Sequence, residues 1–326
     1  MSESREIVVA DIGGTHARFA IAEVADGAVC DLSQPVKMAT ADHASLQTAW
    51  EAFGEEIGRD LPRAAALALA APIRGGLIKL TNNPWVVRPA LIPEKLQVDS
   101  FILINDFEAV AHAVGAVEPD SLVHIAGPDE PLPSDGVVSV VGPGTGLGVA
   151  LLLMRGGRTQ VVATEGGHAD FSPVDAIDDK VMAHIREHHT RVSVERVSAG
   201  GGLRAIWQVL AAMEGRSVPN GDDKELWAMA LAGSDSIAAA ALDRFCMSLG
   251  SAAGDIALTH GPGPVVLAGG LGLRLLDHLP NSGFYDRFIA KGRYRPLMEG
   301  LPVKFITHPE PGLFGAAVAY AREHCE

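Results

Sequence analysis

Asp11-Ile12-Gly13-Gly14-Thr15 lies between two apolar runs of strand length, and Gly142-Pro143-Gly144-Thr145-Gly146-Leu147-Gly148 lies between two more. Each stretch predicts a β-hairpin whose tip carries bare backbone amides and a threonine hydroxyl. Because glycine has no Cβ, the N–H groups at such a tip approach an anion closely. Two tips of this design in similar half-chains predict a duplicated fold that grips one polyphosphate between its lobes.

Composition limits the class of protein. The chain has 326 residues, enough for two domains, and 48% of them are hydrophobic, enough for two cores. The formal net charge is −14 and no basic stripe is present, which argues against a nucleic-acid partner. An anionic substrate must therefore be held by local groups and not by the overall field.

Cysteine usage and apolar run lengths indicate the compartment. Cys30, Cys246 and Cys325 lie far apart and form no Cys-x-x-Cys pair, so a disulfide framework is not expected. The N-terminal residues are polar, and the longest apolar stretch, residues 64–73, is too short to span a bilayer. We expect a soluble cytoplasmic protein without a membrane partner.

Periodicity predicts strands that alternate with helices. Leu46, Trp50, Phe53 and Ile57 share one face of a predicted helix over residues 45–57. The remaining predictions are strands at residues 65–71, 101–104 and 265–268, and helices at residues 107–114, 203–213, 224–259 and from 311 onward. Proline and acidic residues fill residues 115–136, which we interpret as a loop that crosses between domains.

Several common phosphate and hydrolase motifs are missing from the sequence. It contains no Walker A loop, no Gly-x-Gly-x-x-Gly fingerprint and no Gly-x-Ser-x-Gly elbow. A phosphate-handling protein without them must cradle phosphates with backbone amides and Mg²⁺, as the two glycine turns permit. Asp11 is well placed to hold Mg²⁺, which needs one or two carboxylates besides phosphate oxygens. The alternative is that residues 11–15 form an ordinary hairpin turn.

Asn105 and Asp106 follow a predicted strand and precede a predicted helix. One interpretation is a helix N-cap, a role that Asp performs well. The other is a general base, because a carboxylate at the C-terminal end of a strand in an α/β protein lies where ligands bind. Phosphoryl transfer to an alcohol needs one carboxylate to take the proton of the hydroxyl. Both interpretations can hold together.

Glu165-Gly166-Gly167-His168 is the third candidate cluster. Glutamate and histidine supply the acceptors and donors that recognise a polyol, although a solvated turn explains the same residues. Glu195 is a further candidate, with simple pairing to Arg196 or Arg191 as its alternative.

One histidine pattern in the sequence resembles a zinc site. His184-Ile185-Arg186-Glu187-His188 matches the H-x-x-E-H pattern of a class of zinc proteases, and its two histidines are expected on one helix face. The neighbouring residues are basic and polar and no convincing third ligand follows, so we interpret the segment as a solvated helix.

Six motifs, taken in order, resemble those of bacterial glucokinases in the hexokinase/actin-like ATPase superfamily. They are Asp11 to Arg18, Leu80 to Trp85, Ile104 to Phe107, Gly142 to Gly148, Glu165 to Phe171 and Val194 to Val197. The resemblance covers nearly the whole chain. The zinc-binding cysteine cluster and the DNA-binding helix pair of the related ROK family are absent from the sequence, which favours the non-ROK branch.

The resemblance implies an α/β fold of two ribonuclease-H-like (actin-like ATPase) domains with an interdomain cleft. We expect a small domain of residues 1–116 plus 307–326 and a large domain of residues 117–306. The implied reaction is ATP- and Mg²⁺-dependent phosphorylation of glucose at its 6-hydroxyl by a homodimer.

The resemblance also implies a role for each motif residue. Asp106 is the expected base, and Asp11 is the expected Mg²⁺ ligand. The expected sugar ligands are Asn82, Asn105, Asp106, Glu165, His168 and Glu195. The expected phosphate ligands are Asp11, Gly13, Gly14, Thr15, Gly144 and Thr145, with Gly269 and Gly270 beside the adenosine.

The sequence departs from its relatives at two positions. Many relatives carry Asn where this chain has His16, and many carry Ser-Gly-Pro-Gly where this chain has Ala199-Gly200-Gly201-Gly202. A looser loop beside Glu195 is expected to weaken sugar affinity or broaden selectivity. A kinase for mannose, fructose or an amino sugar, and a non-catalytic sugar- or nucleotide-binding module, stay open as alternatives. Polyphosphate as donor is disfavoured, because no basic tract is present to hold it.

Overall fold

The computed structural model describes residues 4–217 and 221–324. The chain forms two compact units. The first contains the chain up to Glu118 and from His308 onward, and the second runs from Pro119 to Thr307. Cys325 lies outside the described residues, Cys30 is exposed, and Cys246 is buried.

Strands and helices alternate through both units. In chain order the strands of the described residues are β1 (Arg5–Ile12), β2 (His16–Ala25), β3 (Ala28–Leu32), β4 (Val36–Ala39), β5 (Ala64–Leu69), β6 (Ile78–Lys79), β7 (Val86–Val87), β8 (Ser100–Asn105), β9 (Leu122–Ala126), β10 (Gly136–Pro143), β11 (Leu147–Arg155), β12 (Arg158–Thr164), β13 (Val265–Leu267) and β14 (Val303–Ile306). The helices are α1 (Leu46–Ile57), α2 (Ile92–Leu96), α3 (Asp106–Val114), α4 (Ala176–Arg186), α5 (Val194–Ser198), α6 (Gly202–Met213), α7 (Asp223–Ala232), α8 (Ser236–His260), α9 (Gly270–Leu275), α10 (Phe284–Ile289), α11 (Arg295–Glu299) and α12 (Pro311–His324).

The main sheet of the first unit has the order β3-β2-β1-β5-β8, and β4 also pairs with β2. The β1–β2 and β2–β3 pairs are antiparallel, whereas β1–β5 and β5–β8 are parallel. Successive residues of β1 face opposite sides of the sheet. Val8 therefore belongs to a core with Phe53 of α1, and Ile7 belongs to a second core with Tyr320 of α12.

The sheet of the second unit has the order β12-β11-β10-β13-β14-β9. Its first five strands repeat the pattern of the first unit, with two antiparallel pairs followed by two parallel pairs. One large core lies in this unit, and Phe245 and Leu249 of the 25-residue helix α8 are fully buried in it. The repeated order confirms the predicted duplication of an α/β domain of ribonuclease-H-like type.

Three local predictions require correction. Residues 115–136 contain β9, which pairs antiparallel with β14 at the edge of the sheet. The predicted helix over residues 224–259 is two helices, because Gly233 ends α7 in a left-handed conformation and Asp235 then caps α8. The helix α4 ends at Arg186, so His188 lies beyond it.

Both predicted glycine hairpins are confirmed, as β1–β2 and β10–β11. Among the described residues, no helix combines the length and the apolar character that crossing a membrane requires.

Candidate functional site

The first glycine turn joins β1 to β2 and is fixed by hydrogen bonds within its own unit. The Gly13 N–H donates to the His16 oxygen at 2.9 Å. The Thr40 hydroxyl donates to the Gly14 oxygen at 2.9 Å, and the Asn83 amide donates to the Gly13 oxygen at 3.2 Å. Both glycine carbonyls are therefore bound by protein groups, and Thr15 at the tip is exposed.

The Asp11 carboxylate lies at the end of β1, partly buried. An Arg18 nitrogen is 3.3 Å from its Oδ2, and another Arg18 nitrogen is 3.6 Å from the Glu310 carboxylate. Burial raises the pKa of Asp11, while the Arg18 guanidinium acts in the opposite direction. A Cβ on Gly312, at the start of α12, would lie 2.9 Å from Asp11 Oδ2. The carboxylate thus sits at the positive end of a helix.

Asn82 lies beside the first glycine turn. It is exposed and adopts a left-handed backbone conformation with φ of 56°. A Cβ on Gly14 would lie 3.1 Å from the Asn82 Cβ and 3.1 Å from the Thr81 oxygen. Within the first unit, the predicted substrate ligand Asn82 is thus close to the predicted phosphate ligand Gly14.

Asn105 ends β8 and Asp106 begins α3. The Asn105 side-chain oxygen accepts the N–H groups of Phe107 and Glu108 at 2.8 and 3.2 Å, and its amide nitrogen donates to the Ala71 oxygen at 3.3 Å. Asn105 is therefore the N-cap, which corrects the interpretation of Asp106 as the cap. Asp106 is the first helical residue, and its Oδ1 accepts the Phe107 N–H at 2.9 Å.

The second glycine turn joins β10 to β11. The Gly144 N–H donates to the Gly146 oxygen at 2.8 Å, and the Gly144 oxygen accepts the Gly200 N–H at 2.9 Å. Thr145 at the tip is exposed. The Leu147 N–H donates to Glu195 Oε2 at 2.9 Å. The turn that carries Gly144 and Thr145 is therefore bonded directly to the side chain of Glu195.

Three predicted sugar ligands meet in the second unit. His168 Nε2 lies 3.9 Å from a Glu165 oxygen, and His168 Nδ1 lies 4.0 Å from a Glu195 oxygen. Glu165 and His168 are mostly exposed, and Glu195 is half-buried. A Cβ on Gly167 would lie 2.1 Å from the Leu147 oxygen. The glycine is needed because the turn that carries His168 packs directly on the backbone of β11.

Arg191 is a residue of this cluster whose role the sequence did not show. Instead of pairing with Glu195, it contacts the neighbouring turn: its Nε donates to Asp170 at 2.5 Å and its terminal nitrogen donates to the His168 oxygen at 2.7 Å. The alternative partner, Arg196, donates to His189 at 3.0 Å. Neither alternative pairing of Glu195, with Arg191 or with Arg196, is observed among the described residues. The only sign of Arg191 in the sequence was its position as a basic residue shortly before Glu195.

Gly269 and Gly270 lie at the end of β13 and the start of α9. Gly269 has φ of 86°, and a Cβ on it would lie 2.8 Å from the Pro143 oxygen. This glycine therefore packs against the strand that enters the second turn, next to the predicted phosphate ligand Gly144.

A cavity of about 310 Å³ opens beside Thr145 and Glu195 in the second unit. The histidines of the protease-like pattern line it, and His184 Nε2 lies 2.9 Å from the Gln208 oxygen. Within the described ranges, no three His, Cys, Asp or Glu side chains are grouped so as to hold a metal ion.

Comparisons with known proteins give one family. A family model of glucokinases matches residues 8–323. The glucokinase of Zymomonas mobilis subsp. mobilis is 58% identical over 321 residues, which cover 98% of this chain and 99% of that relative.

Solved structures have the same fold. A glucokinase from an Antarctic psychrotroph has a TM-score of 0.84 at 32% identity, with 96% of this chain and 98% of that chain covered. A glucokinase from Balamuthia mandrillaris in complex with glucose has a TM-score of 0.76 at 21% identity, with 98% and 94% covered. The chain belongs to the glucokinase family.

Proposed function

We propose that this chain transfers the γ-phosphoryl group of ATP to the 6-hydroxyl of glucose, with Asp106 as general base. The observation that carries the proposal is a cluster in which the His168 ring lies within 4.0 Å of the carboxylates of both Glu165 and Glu195. Glu195 is in turn bonded to the second glycine turn. Polar groups suited to a polyol and a turn suited to phosphate thus share one unit. Membership of the glucokinase family supports the same reaction.

Each predicted sugar ligand keeps its proposed role. Glu165 and Glu195 would accept hydrogen bonds from sugar hydroxyls, and His168 would donate or accept one. Asn105 uses both ends of its amide within the first unit, so it would position Asp106 as well as contact sugar. Asn82 is an exposed amide beside the first turn and would be a further ligand.

The proposed base is held in place before any substrate binds. Asp106 lies in the first turn of α3, where the cap formed by Asn105 fixes the backbone on either side of it. A carboxylate so positioned would orient the 6-hydroxyl, accept its proton and raise its nucleophilicity toward the γ-phosphate.

The residues of the first turn fit a nucleotide with its metal ion. Asp11 supplies a partly buried carboxylate next to Gly13, Gly14 and Thr15, a donor set that suits Mg²⁺ and phosphate. Bound Mg²⁺ would neutralise charge on the transferred phosphoryl group. Gly144 and Thr145 would bind phosphate oxygens, and Gly269 and Gly270 would lie beside the adenosine. We also propose that the protein forms a homodimer and acts in the cytoplasm.

The test is ADP release from MgATP with glucose, mannose, fructose, N-acetylglucosamine or no sugar. We expect turnover with glucose well above that with each other sugar and with none. Preference for another sugar would overturn the substrate and retain the kinase. Sugar binding without ADP release with any of the four would favour the non-catalytic module.

A further inference from the structure

Glu195 and the second glycine turn are in direct contact, although 48 residues separate Leu147 from Glu195. The Leu147 N–H donates to Glu195 Oε2 at 2.9 Å. The same oxygen is 2.5 Å from the place that a Cβ on Gly146 would occupy. The loop that follows α5 is also tied to this turn, through the bond from Gly200 N–H to the Gly144 oxygen.

We propose that Gly146 is a positioning residue for sugar binding, because the absence of its side chain lets the turn seat the carboxylate of Glu195. One short turn would then serve both substrates. Gly144 and Thr145 would bind phosphate, and Gly146 and Leu147 would position the Glu195 carboxylate that binds sugar. This inference rests on the proposed role of Glu195 as a sugar ligand.

The backbone of Gly146 does not itself demand glycine. Its φ is outside the left-handed region, and so is that of Gly144. A Cβ at Gly146 would clash with the end of a flexible side chain, not with backbone. The least costly relief is a shift of the Glu195 carboxylate, so G146A should fold and misplace that group. The loss of a hydrogen bond between a sugar hydroxyl and a charged group weakens binding by about 10- to 100-fold.

Gly144, in the same turn, provides a matched control variant. A Cβ on Gly144 would have its nearest neighbour, the Gly146 oxygen, at 3.8 Å, which is ordinary van der Waals contact. G144A therefore adds the same methyl group two residues away without touching Glu195. It is expected to disturb nucleotide binding, because Gly144 is a proposed phosphate ligand, and to leave glucose affinity unaltered.

The experiment is glucose titration by calorimetry without nucleotide, on the wild-type chain, G146A, G144A, E195A and G146A/E195A. We expect G146A to weaken glucose binding about ten-fold or more, and G144A to change it by less than about two-fold. In the double variant no carboxylate remains to be displaced. Its glucose affinity should therefore match that of E195A within about two-fold.

Other results of these titrations would contradict the inference. Wild-type affinity in G146A, or losses in G146A and E195A that add in the double variant, would overturn the inference. If G146A does not fold, the inference requires G146A/E195A to fold, since the clash is gone, and failure of both would contradict it. Absence of glucose binding in the wild-type chain would instead refute the proposed function on which the inference rests.

Discussion

The side-chain amide of Asn105 donates to the Ala71 oxygen at 3.3 Å while the oxygen of the same amide caps α3. The residue that holds the proposed base in place is therefore its neighbour in sequence. Asn105 links the end of β8 to the segment that follows β5, so the position of Asp106 depends on the sheet as well as on the helix.

Replacement of Asn105 by Ala should affect stability and turnover together. The loss of the cap and of the Ala71 bond is expected to cost about 1–3 kcal/mol of unfolding free energy, and kcat should fall because Asp106 is less well held. The control is S45A, since Ser45 caps α1 with a comparable capping box. S45A should lose about 1 kcal/mol of stability without a change in kcat. Equal kcat in the two variants would contradict a positioning role for Asn105.

Removal of Arg18 should move the pH dependence of activity. Burial raises the pKa of Asp11 and of Glu310, and Arg18 opposes both shifts. In R18Q both pKa values rise further, so protonation begins at higher pH. Because ionised Asp11 is the form proposed to hold Mg²⁺, the acid limb of kcat/KM for MgATP should shift upward in pH.

The control for R18Q is R59Q. Arg59 forms an exposed ion pair with Glu6 in the same unit, with a contact of 2.7 Å. Rate profiles between pH 5 and 9 should be the same for R59Q and the wild-type chain. A uniform fall in rate for R18Q without a shift of the limb would indicate that Arg18 acts on phosphate directly.

Asp175 should stabilise the second unit in a pH-dependent way. Burial opposes its ionisation, but the Asp178 N–H, Arg244 at 2.5 Å and Arg287 outweigh it and hold the pKa of Asp175 at about 2. A lowered pKa in the folded state adds stability above the unfolded value near 4, and this stability is lost as the pH falls through about 2.

The variant D175N keeps the N-cap of α4 and loses the charge. Because about a third of the Asp175 side chain is exposed, solvent screening reduces the effect, and we expect a loss of about 1 kcal/mol at pH 7 that vanishes toward pH 2. Urea unfolding at pH 7, 4 and 2.5 measures it. D222N is the control, since Asp222 caps α7 and has no ion pair within the described residues. A D175N deficit that is equal at all three pH values would refute the account.

The loop beside Glu195 is expected to accept proline at Gly201. This residue has φ of −77° and its N–H makes no hydrogen bond within the described ranges, so proline keeps this backbone angle and removes no hydrogen bond. G201P should gain about 0.4–1 kcal/mol by restricting the unfolded chain. The control G200P should lose stability, because the Gly200 N–H donates to Gly144. Thermal unfolding of both variants measures the difference, and destabilisation by G201P would contradict this description of the loop.

The parts of the fold that the sequence predicted are those that depend on local pattern. Glycine clusters between apolar runs predicted both hairpins, and the spacing of Trp50 and Phe53 predicted α1. The edge strand β9 was missed although four of its five residues are apolar. Prolines and acidic residues flank it on both sides, and these indicate a loop in an interpretation based on local pattern.

The sequence predicted which residues belong to the candidate site, but not the contacts between them. Glu195 was identified as a candidate, but its bond to the Leu147 N–H was not, because a backbone donor leaves no signal in the sequence. The cap at Asn105 was likewise assigned to Asp106, since either side chain can cap a helix and only the backbone geometry distinguishes them.

The most direct test of Asp106 as the general base is to compare the turnover of D106N with that of E108Q, with glucose binding measured separately. Both variants remove one negative charge from the first turn of α3, but Gln at position 108 keeps an acceptor for the Asn105 N–H. We expect kcat of D106N to fall about 10²–10⁴-fold with glucose still bound, and that of E108Q to fall by far less. A folded D106N with near-wild-type turnover would show that Asp106 is not the base.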